Sequence, residues 1–249
     1  VSKQRIIYGV NPVIEAARSA PESVERILIA SGRGDRASSN LLDAARTGNI
    51  EVARVAKKEI DALTGTGKHQ GVAAVMAAEF GYTDLDLLIS GWRASGERAF
   101  FLILDSVQDP GNLGSLIRSA CAAGVHGVII PKRRAAPVTP AVEKVSAGAT
   151  AHTRIAAVTN ITRAIEILKK EGIWVYGLVP GEPSDIYGED LTVDAALVVG
   201  GESKGLTRLV RERCDHRVSI PMAGDFDSLN AAQAGAVAMF ELRRQRGGG

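Results

Sequence analysis

Cysteine, aromatic residues, long apolar runs and an excess of one charge are all scarce in this chain, and each shortage removes a class of protein. Only Cys121 and Cys214 occur among 249 residues. They lack Cys-x-x-Cys spacing and fall in segments that read as helices, which disfavours a disulfide scaffold or a zinc site and points to a reduced, cytoplasmic setting. No uninterrupted apolar stretch approaches the roughly 18 residues a membrane helix needs, and the start, Val1-Ser2-Lys3-Gln4-Arg5, carries no apolar signal-peptide core. A soluble intracellular protein is therefore expected. Aromatic content is 4%, too little for base stacking to be the main grip on a nucleic acid. Lys and Arg number 30 against 28 Asp and Glu, a net charge of +2 with a pI near 8.6. Such a balance permits a nucleic-acid partner without demanding one, because clustering decides.

What remains is ordinary globular material, 45% hydrophobic and 23% charged. At this length one large or two small domains are expected. The first part alternates strand-like and helix-like patterns. Asn11-Pro12 reads as an N-cap with proline at the first helical position, opening a helix over 13–20. A strand over 24–30, a helix near 40–46, a strand over 51–56, a short helix over 58–63 and an apolar run over 71–78 follow. Together they make a small α/β domain, residues 1–78. Residues 79–98 change character, with acidic residues, Gly91 and Gly96 around one short helix (84–89), and read as a linker.

Residues 99–249 alternate more strongly. Strands are expected at 100–104, 127–130, 155–158, 173–176, 196–199 and 218–220, with the clearest helices at 160–170 and 228–244. Continuous Val/Ile/Leu runs between helices mean strands buried on both faces, hence an α/β fold with a mostly parallel sheet. In such sheets ligands bind at loops leaving the carboxyl ends of strands, and three of these loops stand out.

The first is Asp105 to Ala120. Asp109-Pro110-Gly111 signals a turn, with a helix from about Asn112. On a helical period Gly111, Gly114, Ser115 and Arg118 share a face, where a guanidinium beside small side chains suits a bulky anion; a solvated arginine on an amphipathic helix fits the same pattern. The second, Val198 to Leu206, is a strand, a glycine turn and a helix, with Glu202 in the helix's first turn. It is neither a Walker loop nor a GxGxxG fingerprint, and helix capping would equally account for Glu202. The third, Ile220 to Ala232, enters the terminal helix with Asp227 or Ser228 as N-cap. Beyond it Ala231, Ala234, Gly235 and Ala238 form a small-residue stripe suited to close packing on a neighbouring helix or a second subunit.

Taken together the loops resemble the three motifs of the SpoU class in the SPOUT superfamily of RNA methyltransferases. The matching strings are Asp-Pro-x-Asn-x-Gly-x-x-x-Arg-Ser-Ala (109–120), Gly-x-Glu-x-x-Gly-Leu (200–206) and Ile-Pro-Met-x-Gly-x-x-x-Ser-Leu-Asn (220–230), in the family's order. Ile7 to Val13, His69-Gln70-Gly71-Val72, Val125 to Pro131 and Val142 to Ala149 resemble the branch that carries an N-terminal, L30e-like substrate-binding domain and acts on rRNA.

The resemblance implies S-adenosylmethionine-dependent 2′-O-methylation of a ribose, a guanosine of large-subunit (23S) rRNA in the most similar branch. It further implies a trefoil knot in the C-terminal domain and a homodimer. By the same resemblance Gly200, Gly201, Ile220, Met222 and Leu229 line the cofactor pocket, while Asn112, Arg118, Glu202, Ser228 and Asn230 surround the reacting ribose. Lys132-Arg133-Arg134, after a strand end, is the best basic cluster for RNA, although a solvated loop fits it as well; Arg33, Arg36 and Lys68-His69 would add reach. A tRNA methyltransferase, an adenosine-directed resistance methylase and a non-catalytic assembly factor are the alternative readings.

Overall fold

In the computed structural model of the chain, residues 5–33, 36–224 and 227–247 are described. The chain divides into two compact units, Val1–Gly81 with Val138–His152, and Tyr82–Pro137 with Thr153–Gly249. In chain order the elements are β1 (Ile6–Tyr8), α1 (Val10–Ser19), β2 (Val24–Ala30), α2 (Arg36–Thr47), β3 (Glu51–Val55), α3 (Lys57–Thr64), β4 (Val72–Met76), α4 (Leu85–Ser95), β5 (Phe100–Asp105), α5 (Pro110–Ala123) and β6 (Gly127–Pro131). There follow α6 (Pro140–Val145), β7 (Ile155–Val158), α7 (Ile161–Lys170), β8 (Trp174–Leu178), β9 (Ala195–Gly200), α8 (Arg208–Arg213), β10 (His216–Val218) and α9 (Ala231–Gln245).

The first unit is built on a four-stranded sheet in the order β1-β4-β2-β3, with β2 and β3 parallel and β4 antiparallel to both its neighbours. Alternation along β2 sends Ile27 and Ile29 to one face, where they pack with Val13, Leu41 and Val72, and Leu28 to the other, against Ile60, Ala73 and Val75. Strand β1 was not expected; three residues between polar neighbours are too short for a period to show. Helix α1 starts earlier than Asn11-Pro12 implied. Its N-cap is Gly9 (φ 98°), and the missing side-chain cap comes from afar, the Gln70 Oε1 accepting the Val10 N–H at 3.3 Å. His69 is fully buried, so it adds no reach toward RNA. The Gly71 N–H donates to its Nδ1 (2.9 Å), leaving Nε2 to donate to Asp61 (2.8 Å).

Residues 138–152, expected inside the catalytic domain, belong to this first unit. The nearly buried Glu143 of α6 pairs with Arg5, and His152 Nε2 meets Glu15 Oε2 at 2.8 Å. These pairings join residues 137 or more positions apart, which no local pattern reveals. Burial pushes the Glu143 carboxyl up against the opposing pull of Arg5.

The second unit holds a six-stranded sheet in the order β10-β8-β9-β5-β6-β7, every pair parallel. Phe100 to Leu104 are all buried, as expected of a strand covered on both faces. On one face Phe101, Ile103 and Val198 pack with Leu88 and Trp92 of α4 and Ile165 and Leu168 of α7. On the other, α9 lies on α5 and β9. The small-residue stripe of α9 serves this contact within the chain, because a Cβ at Gly235 would stand 2.4 Å from Leu116 Cδ2 and 3.3 Å from Val199 Cγ2. Most of the 79–98 stretch also belongs to this unit. Helix α4 runs on to Ser95 with Leu88, Ile89 and Trp92 buried, and Thr83 pairs with Ala156. No helix among the described residues is long and apolar enough to cross a membrane.

His126 ties β6 to β5: its Nδ1 accepts the Phe100 N–H (3.1 Å) and its own N–H donates to Phe100 O (2.8 Å). Burial lowers its pKa below 6.5, outweighing the opposing pull of Glu97. The neutral ring is the form the fold holds. Its contribution is complete above the unfolded value and is lost as pH falls through the lower folded value. The urea midpoint is accordingly expected to fall between pH about 7.5 and about 5, and to fall less in His126→Gln.

Candidate active site

Three loops at the carboxyl edge of the parallel sheet fold onto one another. The first leaves β5 at the buried Asp105, passes Ser106 in left-handed conformation (φ 65°) and enters α5. Asp109 caps that helix by accepting the Asn112 N–H at 2.7 Å, a bond of about 0.5–2 kcal/mol. Pro110 takes the first helical position, so the helix starts two residues before Asn112.

In the second loop β9 ends at Gly200 and the chain turns back at once. Gly205 N donates to Gly201 O at 3.0 Å, and α8 begins only at Arg208. Glu202 therefore sits in a tight turn, not in the first turn of a helix as the sequence suggested. The glycines are required by the chain itself. A Cβ on Gly200 would lie 2.1 Å from the Gly205 carbonyl carbon, and one on Gly201 would lie 2.2 Å from the Ser106 oxygen.

The third loop leaves β10 after Val218 and reaches α9 at Ala231. Asp225 and Phe226, inside the third motif, lie outside the described residues. The cap of α9 is Asn230, whose Oδ1 accepts the Ala232 N–H at 2.8 Å; neither Asp227 nor Ser228 serves.

Between the second and third loops and the end of β8 lies a cavity of about 610 Å³. Its wall contains Gly200, Gly201, Ile220, Met222 and Leu229, the residues assigned to a cofactor by resemblance, together with Glu202, Ser228 and Asn230. Asn112 joins through hydrogen bonds. Its Nδ2 donates to Glu202 Oε1 at 2.6 Å, and its Oδ1 accepts from Asn230 Nδ2 at 3.0 Å. The chain Asn230–Asn112–Glu202 thus ties all three loops together. Glu202 Oε2 also accepts the Gln108 N–H at 3.4 Å. Partial burial raises the Glu202 carboxyl, but the Asn112 amide and the backbone of Glu202, Gln108 and Asp109 outweigh it and hold the group below the ordinary carboxylate range. At neutral pH it is an ionised acceptor already engaged.

Arg118 does not line this cavity. It is exposed on α5 and makes no hydrogen bond or ion pair among the described residues. Lys132, Arg133 and Arg134 are exposed in the loop after β6. That loop is pinned at both ends, Lys132 N to Val158 O (2.8 Å) and Ala136 N to Val107 O (2.9 Å), the latter on the first loop. Sequence reasoning missed a fourth wall of the cavity, Leu178-Val179-Pro180. Its signal was a Pro-Gly pair, Pro180-Gly181, separated by one residue from the end of an apolar strand.

Residues 99–240 match the sequence model of the SpoU rRNA methylase family, and residues 6–80 that for RNA 2′-O ribose methyltransferase substrate binding. The chain belongs to the SpoU rRNA methylase family. It is 43% identical over 249 residues to the 23S rRNA (guanosine-2′-O-)-methyltransferase RlmB of Xanthomonas campestris, covering 99% of each chain. It is 40% identical over 240 residues to the putative TrmH family tRNA/rRNA methyltransferase YacO of Bacillus subtilis, covering 96% and 95%. Among solved structures, the SpoU methyltransferase AviRb of Streptomyces viridochromogenes in complex with AdoMet superposes with a TM-score of 0.80 at 29% identity, covering 100% of this chain and 92% of that one.

In this SpoU chain Gly201→Ala forces a methyl carbon against the Ser106 backbone, which no rotamer change relieves. It is expected to destabilise the second unit by about 1–3 kcal/mol or more, read as a lowered urea midpoint. An unchanged midpoint would show that the close approach is dispensable.

Proposed function

We propose that this chain transfers a methyl group from S-adenosylmethionine to the ribose 2′-hydroxyl of a guanosine in 23S rRNA. The observation that carries the proposal is the Asn230–Asn112–Glu202 chain closing one side of a glycine-walled cavity at the carboxyl edge of a parallel sheet. The cavity fits the cofactor. Its volume is in the ordinary range for a small-molecule site. Leu178, Val199, Val218, Ile220, Met222 and Leu229 offer apolar contact to a nucleoside, and the turn at Gly200–Gly201 brings backbone polar groups to the wall. Gly200, Gly201, Ile220, Met222 and Leu229 would hold S-adenosylmethionine, which when bound would supply a methyl group activated by its sulfonium; its transfer to the 2′-oxygen would leave the thioether S-adenosylhomocysteine and release the hydroxyl proton to water.

The chain's own contribution is positioning, which can remove roughly 7–11 kcal/mol of such a barrier. Asn112 and Asn230 hold each other and present fixed amides beside the cavity, and Ser228 lines the same wall. Glu202, held ionised by its donors, orients Asn112; a carboxylate so well solvated by the protein is a weak base. Arginine side chains stay protonated in proteins, so Arg118 grips a phosphate next to the target ribose. Lys132, Arg133 and Arg134, pinned to the first loop through Ala136, extend that grip along the RNA backbone. The first unit acts as an L30e-like substrate-binding domain and the second unit as the methyltransferase domain. The protein works in the cytoplasm as a homodimer, for which the half-exposed Phe240 on α9 offers apolar surface. The trefoil knot implied by family resemblance is part of the same reading. It is supported by the return of the segment after β10, at the sheet edge, to lie across β9 and α5.

Tritium transfer from labelled S-adenosylmethionine to undermethylated rRNA and tRNA tests the reading. Label at one guanosine 2′-oxygen of 23S rRNA is expected; label in tRNA alone, or in no RNA despite cofactor binding, overturns it. Arg118→Ala is expected to abolish turnover while leaving calorimetric cofactor affinity within a few-fold (on the order of 1 kcal/mol). Replacing Lys132, Arg133 and Arg134 by Ala is expected to shrink the slope of log K against log salt by about 2, roughly 0.7 for each phosphate no longer neutralised.

A further inference from the structure

Asp105, the last residue of β5, is 4% exposed and takes no part in the cavity wall. A buried carboxylate is costly, and an apolar side chain at a strand end would be cheaper unless the charge holds something. What it holds is the second loop, at both ends. Its backbone carbonyl accepts the Gly201 N–H at 2.8 Å, and its carboxylate Oδ2 accepts the Thr207 N–H at 2.6 Å. Oδ1 accepts from Ser106 Oγ at 3.1 Å, so the same carboxylate steadies the start of the first loop. Between the two anchor points the chain closes on itself through Gly205 N and Gly201 O, and Glu202 stands in that closed turn. From there Glu202 reaches Gln108 and Asn112 in the first loop.

We propose that Asp105 is a positioning residue for methyl transfer, acting through the Gly201–Thr207 turn to set Glu202 against Asn112. The role rests on the methyl-transfer reading above. Charge-assisted bonds to backbone N–H groups are the strong kind, and this one replaces the orphan-donor partner that α8 would otherwise need near its start. With the carboxylate replaced by a neutral amide, the turn keeps its internal bond and its Gly201 anchor, while the hold on its exit weakens from a charge-assisted bond to a neutral one. Glu202 then samples positions on which Asn112 is no longer fixed.

The test uses the full-length protein with Asp105→Asn, which preserves shape, and a cycle with Glu202→Gln. In the wild-type background Asp105→Asn is expected to lower kcat by about 10- to 100-fold, the scale on which a misplacement of about 1 Å is felt, with KM for RNA little changed. In the Glu202→Gln background the same change is expected to cost no more than about 3-fold, the signature of two residues acting as one unit. Independently of activity, amide hydrogen exchange in the cofactor-free protein is expected to quicken in peptides covering 201–207 and 106–112, and not in β6 or β7. Equal losses in both backgrounds, or unchanged exchange at the turn, overturn the role. If Asp105→Asn does not fold, Thr207→Pro, which removes the N–H that the carboxylate holds at a φ of −62° that proline adopts, carries the same cycle and the same criteria. A wild-type enzyme that methylates no RNA sinks the functional reading, and the exchange experiment still decides whether Asp105 holds the turn.

Discussion

At the carboxyl end of β9 backbone meets backbone with no room for a single methyl group, and the rest of the site is arranged around that contact. Gly200 lies against Gly205 and Leu206, and Gly201 lies against Ser106. The first approach lets the chain reverse immediately after a buried strand. The second presses the reversed turn onto the loop leaving β5. Only with both in place does Glu202 come within 2.6 Å of Asn112, and only then does Asn112 face Asn230 across the entrance to α9. The polar chain is therefore a consequence of steric closeness, and the glycines are structural requirements of the turn itself.

The same closeness explains how one side chain serves two purposes in this region. Asn230 caps α9 with its oxygen and binds Asn112 with its nitrogen, so helix initiation and site assembly are one event. Asp109 caps α5 while Asn112, whose N–H it receives, turns its amide toward Glu202. Asp105 ends a strand and anchors a turn. Capping residues elsewhere contribute modestly to stability; here their geometry also aims the groups proposed to face the ribose. The basic loop after β6 follows the same economy, being fastened to the first loop through Val107.

The first unit shows the limits of reading locally. Helix α1 takes its cap from Gln70, sixty residues away, and α6 and the following turn join this unit although the chain enters them from the parallel sheet. His69, attractive in sequence as a basic neighbour of Lys68, is a buried hydrogen-bonding ring between Asp61 and Gly71. The first two departures share one cause, a polar group whose partner is distant in sequence, so that neither period nor spacing carries a trace of it; the partners of His69 are local, and only the packing of the unit decides that its ring is buried.

By itself the sequence determined the alternation of strands and helices, the parallel character of the second sheet and the family, because these depend on local periodicity and on short strings such as Asp109 to Ala120. It placed Gly200, Gly201, Ile220, Met222 and Leu229 on loops at strand ends, and the structure gathers them in one cavity wall. Only the tertiary structure decided that Glu202 rides a turn and not a helix, that Asn230 and not Ser228 starts α9, and that Leu178 to Pro180 complete the wall. It alone separated Arg118, exposed on α5, from the Asn112–Glu202–Asn230 chain. The physical reason is that a motif records which residues are needed, while a hydrogen bond across three loops depends on where distant strands end. That register is set by packing of the whole sheet, not by any string within it.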